Sequence, residues 1–198
     1  MQYSSQFLSR QIVFIAACMS VSECLQLFAE HFSYWSTHLL DEFWRWWTAH
    51  WVHVGWIRYA LNMVAFACLP FIFPHLKNRY AILLLVLLPP LISLSFYFCI
   101  PQVEAYAGLS GVLHGLYGAA AIYFLQFNSE RKFAFLVISL ALAKVLWENF
   151  MGSLQTSQLI GSPVLTEAHW IGLVWGIVLA LCYMLYEKLM AQKNQTTD

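Results

Sequence analysis

Apolar runs of about 20 residues recur along almost the whole of this 198-residue chain, and ~20 residues at ~1.5 Å each span the hydrocarbon core of a bilayer. In lipid each backbone N–H and C=O must find its partner inside the protein, so such runs are restricted to helices. Hydrophobic residues make up 61% of the chain and charged ones 10%, a balance no ordinary soluble domain has. The pattern predicts an all-α, polytopic membrane protein. We expect a single domain over 1–198 with six transmembrane helices in a compact bundle, at roughly 11–29, 50–73, 80–100, 105–127, 132–150 and 168–187. The first run follows Arg10 as a signal peptide would. It lacks a small-x-small cleavage site, and we read it as a membrane helix despite Ser20, Ser22, Glu23 and Gln26.

Charge fixes the expected orientation. With the N-terminus inside, Arg10, Lys77, Arg79, Arg131, Lys132, Lys188 and Lys193 are all cytoplasmic, as is the C-terminus. Arg45 alone of the basic loop residues is then external, beside Asp41, Glu42, Glu104 and Glu167, which satisfies the positive-inside rule. A net charge of zero gives no electrostatic case for nucleic acid, leaving lipid and membrane-embedded protein as partners. The five cysteines (Cys18, Cys24, Cys68, Cys99 and Cys182) show no CxxC spacing and are expected to be buried, reduced thiols. The first outer loop, about 30–49, carries Phe32, Tyr34, Trp35, Phe43, Trp44, Trp46 and Trp47. It is either an interfacial aromatic belt or a loop packed laterally on the helices.

Two stretches break the apolar monotony in a related way. Gly108–Gly115 reads GLSGVLHG, with Ser110 and His114 one helical turn apart and a side-chain-free stripe at Gly111, Gly115 and Gly118. Glu167–Gly176 reads EAHWIGLVWG, with His169 near the helix start and a second stripe at Gly172 and Gly176. Glycine stripes let helices approach backbone to backbone in lipid. Docking one on the other brings Ser110 and His169 to one depth, ~5–10 Å below the outer helix ends. Arg58 and Asn62, four residues apart on the second helix, approach the same zone, and a guanidinium there is a functional candidate by default. On the fifth helix Lys144 and Glu148 have the spacing of an intrahelical ion pair. Pro89-Pro90 should kink the third.

A serine hydroxyl becomes a nucleophile when a base takes its proton, and His169 can be that base. No acidic residue is evidently placed to orient it, so the expectation is a Ser-His dyad. His114 either orients the His169 ring or is itself the base. Candidate oxyanion donors are the Ser110 backbone N–H and the side chains of Asn62 and Arg58. A metal reading would use His50, His53, His114 and His169, yet His50 and His53 are three apart with no acid between them, unlike HExxH. Neither a metal nor another cofactor is expected.

GLSGVLHG resembles the GxSG nucleophile motif of the rhomboid intramembrane serine proteases. AHWIGLVWG resembles their AHxxGxxxG helix, and EFWRWWTAHWVHVGWIRYALN resembles their first-loop WR element running into the second helix and its asparagine. The three pieces stand in the family's order. The resemblance implies Ser110, in the motif opened by Gly108, as nucleophile; His169 as base; Asn62 as an oxyanion-hole side chain; and His53 in a structural role. Two departures stand out: Arg58 occupies the place of a second helix-two histidine, and His114 that of a tyrosine stacked on the catalytic histidine. The short chain without a cytosolic domain, with GLSGVLHG, most resembles the bacterial rhombosortase branch. That branch implies a site facing the outside of the cytoplasmic (inner) membrane. Its substrates would be exported proteins with a C-terminal sorting tail: a Gly-Gly motif, a membrane helix and a basic end. The alternative is a catalytically inactive rhomboid-like protein that binds transmembrane segments. A small transporter or channel is a third reading, disfavoured because the polar residues cluster at one end of the bundle.

Overall fold

The computed structural model describes residues 5–152 and 164–195. Its helices in chain order are α1 (Ser5–Gln26), α2 (Ala29–Phe32), α3 (Arg45–Thr48), α4 (Trp56–Ile72), α5 (Asn78–Cys99), α6 (Ser110–Phe124), α7 (Arg131–Met151) and α8 (Glu167–Gln195). Among the described residues four helical stretches are long and apolar enough to cross a membrane: Leu8–Gln26, Asn78–Cys99, Arg131–Met151 and Glu167–Asn194. The other two apolar helices, α4 and α6, have 17 and 15 residues.

Both are shorter than the hydropathy suggests, for a local reason. Residues 50–55 do not continue into α4, because Gly55 adopts φ +94°, a conformation that ends a helical path. Residues 105–109 do not belong to α6, because Ala105–Tyr106 (β2) pairs antiparallel with Tyr34–Trp35 (β1), Tyr34 opposite Tyr106. The two segments taken from the expected helices hold the start of α6.

α6 is the axis of the bundle and is buried on nearly every side, including Val112, Leu116, Ala119, Ala120 and Ala121. Its glycine stripe meets that of α8, as expected. A Cβ on Gly172 would collide with the Gly111 carbonyl, and one on Gly176 with the Gly115 carbonyl. In the other direction, a Cβ on Gly111 would lie 2.8 Å from the Ala168 carbonyl oxygen. Backbone touches backbone here, which only glycine permits. Tyr117 ties α6 to α4 by donating to the Ala65 carbonyl (2.8 Å), and Trp175 ties α8 to α5 by donating to Ser95 Oγ (2.9 Å).

α5 runs through Pro89-Pro90 without interruption. Proline at 90 has no N–H for the carbonyl of Val86, and the Trp47 indole N–H donates to that carbonyl instead (2.8 Å). The aromatic loop is thus fastened to α5, and His50 Nε2 also bonds Ser93 Oγ (3.0 Å). Arg45 is buried beneath the loop, donating to the Ser33 and Glu30 carbonyls (2.6 and 3.2 Å) and paired with Glu42. Phe43 and Trp35 remain exposed, so both readings of the loop hold, for different residues.

The cysteines require a correction. All five are free thiols, but Cys24, Cys99 and Cys182 are exposed and the other two half-buried. In a membrane bundle the outward face is as apolar as the core, so an apolar run does not imply burial.

Candidate active site

The start of α6 is set by three bonds to Gly108 and Leu109 that leave Ser110 little freedom. The Gly108 N–H donates to the Ala49 carbonyl (3.0 Å), and the Tyr106 hydroxyl donates to the Gly108 carbonyl (2.5 Å). The Leu109 N–H donates to His53 Nε2 (3.2 Å), and His53 is itself gripped by Gln26, which accepts from its N–H (2.7 Å) and donates to its carbonyl (2.9 Å). His53 Nε2 therefore carries no proton. Burial and the Arg58 charge agree with this, pushing the His53 pKa down to about 3. His53 supports the loop and lies behind it.

Gly108 takes φ +153°, and a Cβ there would stand 3.4 Å from Arg58 Nε. The guanidinium thus lies flat over the glycine, one residue from Leu109 and two from the serine. Arg58 is only 5% exposed, and Asn62, one turn further along α4, is also buried. Both face the same cavity as Ser110.

His169 stands in the first turn of α8, 3% exposed. Its Nδ1 lies 2.6 Å from Glu148 Oε2 on α7, and its ring stacks on His114 with centroids 4.2 Å apart and planes at 17°. A carboxylate only accepts, so Nδ1 carries the proton and Nε2 keeps its lone pair. Glu148 Oε1 accepts from Lys144 Nζ (2.8 Å), and the same ammonium lies 3.2 Å from His114 Nε2. An ammonium can only donate, so His114 is protonated on Nδ1, which donates to the Ser110 carbonyl (2.7 Å). Both His114 nitrogens are occupied, leaving it to stack on His169 and not to act as a base.

The expectation that no acidic residue is placed beside His169 is therefore corrected. Glu148 does pair with Lys144, but its second oxygen reaches across to α8. The i,i+4 pairing accounted for Glu148 locally and concealed the long-range contact. The missed signal was stoichiometric: a membrane-buried carboxylate has two oxygens, and a single lysine satisfies one. The metal reading also changes. His50 and His53 stand apart, whereas ligand atoms of His114, Glu148 and His169 lie within 4.8 Å of one another. The Lys144 ammonium already fills the place of a cation among them.

Ser110, His169, Asn62, Arg58 and His114 line one cavity of about 390 Å³. Its remaining wall is largely apolar: Leu61 and Ala65 from α4, Leu113 and Tyr117 from α6, Val137, Leu140 and Ala141 from α7. Three polar atoms in its lining, Ser110 Oγ, His169 Nε2 and Asn62 Nδ2, are buried with no hydrogen-bond partner among the described residues. Native proteins rarely leave buried polar atoms unsatisfied. Here a hydroxyl, an imidazole nitrogen and an amide donor are left so together. A family model described as the rhomboid domain matches residues 40–186, which include every residue of this cavity. No curated protein matches the sequence.

Proposed function

The chain belongs to the rhomboid family, whose members are generally intramembrane serine proteases, and we propose that it is an active one, with Ser110 as nucleophile and His169 as base. The observation that carries this reading is the convergence of three unsatisfied buried groups on one cavity. A peptide carbonyl placed there meets each of them in a chemical role. His169 Nε2 takes the Ser110 proton as Oγ bonds to the carbonyl carbon. The oxyanion so formed accepts hydrogen bonds from Asn62 Nδ2, Arg58 and the Ser110 backbone N–H, one of the first-turn donors that α6 leaves without an intrahelical acceptor. The His169 imidazolium then returns its proton to the leaving amine, the C–N bond breaks, and water repeats the sequence on the acyl-enzyme.

The apolar wall between α4 and α7 suits a transmembrane segment, and the polar ceiling suits a cut near one end of it. Six membrane spans follow if α4 and α6 cross as well. The N-terminus-inside orientation is supported by Lys77, Arg79, Arg131, Lys132, Lys188 and Lys193, all at the opposite helix ends from Ser110 and His169. On this reading the site lies at the outer face of a bacterial inner membrane. The GLSGVLHG motif supports the rhombosortase branch, and hence the Gly-Gly sorting tail of exported proteins as substrate. Glycines near the cut lower the cost of unwinding a helix for attack.

Arg58 sustains one second reading, a non-cleaving protein that binds membrane segments, because a fixed cation stands where the rhomboid pattern that the chain resembles has a histidine. Co-expression with a reporter ending in a Gly-Gly motif, an apolar helix and a basic tail separates the two. The protease reading expects a shortened reporter with the parent protein and a full-length one with Ser110→Ala. A reporter equally intact with both, co-purifying with each, supports the binder.

A further inference from the structure

We propose that Glu148 is a positioning residue for His169, extending the pair Ser110–His169 to a carboxylate-held triad, and that Lys144 holds Glu148 in place for that task. This rests on the serine-protease reading above. The geometry has three parts. Glu148 is 6% exposed and bridges two partners with separate oxygens, Lys144 Nζ at 2.8 Å and His169 Nδ1 at 2.6 Å. The His114 stack fixes the plane of the His169 ring, and the Nδ1 bond fixes its rotation within that plane. Together they leave Nε2 directed at the cavity that Ser110 Oγ lines.

The carboxylate has a second consequence during turnover. When His169 takes the serine proton it becomes a cation in a water-poor site, and an anion 2.6 Å from Nδ1 stabilises that form where it is most costly. Lys144 answers a different need. A carboxylate inside a membrane helix is expensive without a counter-charge. Lys144 supplies it from the same face of α7, its side chain half exposed at the cavity edge. Neutralising Glu148 by Lys144 alone would have needed no contact with α8.

The plainer account is that the two residues merely cancel each other's charge and touch His169 incidentally. A double substitution distinguishes the two. Glu148→Gln with Lys144→Met removes both charges at nearly constant volume, which a charge-cancelling pair tolerates and a positioning carboxylate does not. The assay is labelling by a fluorophosphonate in detergent, with kinact and KI measured separately alongside thermal unfolding. In that reaction Ser110 Oγ bonds to phosphorus, fluoride leaves, and the serine proton passes to His169. We expect Glu148→Gln, alone and in the double variant, to lower kinact by about 10²- to 10⁴-fold with KI unchanged. Glu148→Asp should recover part of that loss. A folded Glu148→Gln that labels as fast as a reactive parent overturns the positioning role alone. A parent in which Ser110 never labels overturns the protease reading and this role with it.

Discussion

Replacing Gly172 by alanine tests whether the docking of α6 on α8 is what aligns Ser110 with His169, the proposed reacting pair. The new methyl would sit inside the van der Waals envelope of the Gly111 carbonyl oxygen and press on Gly111 C and Cα as well. None of these atoms can rotate away, since all belong to the backbone of a buried helix. The helices must part by roughly 1 Å or more to restore ordinary contact. Overpacking of this kind costs about 1–3 kcal/mol, which for a chain of this size lowers Tm by about 2–4 °C per kcal/mol. Catalysis should suffer more than stability. Ser110 rides on α6 and His169 on α8, and a displacement of ~1 Å between reacting groups costs about 10²-fold in rate. Gly118→Ala is the internal control: its methyl would meet Leu173 Cδ1 at 2.5 Å, the far end of a flexible side chain that can turn aside. Both variants would be compared with the parent by thermal unfolding in detergent and by the rate of fluorophosphonate labelling. A Gly172→Ala protein with parental Tm and labelling rate, or a Gly118→Ala protein harmed more than it, refutes the reasoning.

Asn62→Ala and Arg58→Ala should each slow labelling by about 10²-fold if both donate to the developing oxyanion; a parental rate in Arg58→Ala assigns that guanidinium to packing over Gly108 instead. Trp47→Phe removes the donor that replaces the missing Pro90 N–H at Val86. It should cost about 1 kcal/mol of stability while leaving the labelling rate of the folded protein unchanged, as read by parallel thermal and labelling assays. His50 and His53 are held at about 3 by burial, against an ordinary 6.5. Between those values the unfolded chain binds protons that the folded one refuses, so stability falls as pH drops through that window. Thermal unfolding from pH 7 to pH 4 should show a declining Tm, with a shallower slope in His53→Asn.

Features carried by the lack of a side chain are the most legible in the sequence. Gly111, Gly115, Gly172 and Gly176 announce a backbone-to-backbone contact by composition and spacing, and the two helices meet there. Ser110, His169, Asn62 and Arg58 could be named because a polar atom in an apolar run needs a reason. The turns at 50–55 and 105–109 were not legible. Hydropathy registers what is apolar, not what is helical, and a two-residue strand pair such as Tyr34–Trp35 with Ala105–Tyr106 has no period to detect. The Glu148–His169 bond was hidden differently, since it joins two helices across 21 positions of sequence. The neighbouring lysine already explained the glutamate. Burial of the cysteines was misjudged because lipid and core favour the same residues.

The central claim is that Ser110 is a nucleophile activated by His169. Its most direct test is to treat the detergent-purified protein with a fluorophosphonate and locate the adduct by mass spectrometry, with Ser110→Ala and His169→Ala as controls. The account predicts one adduct, on Ser110, absent from both variants. A folded parent that acquires no adduct on Ser110, or a His169→Ala variant that labels as readily as the parent, contradicts it.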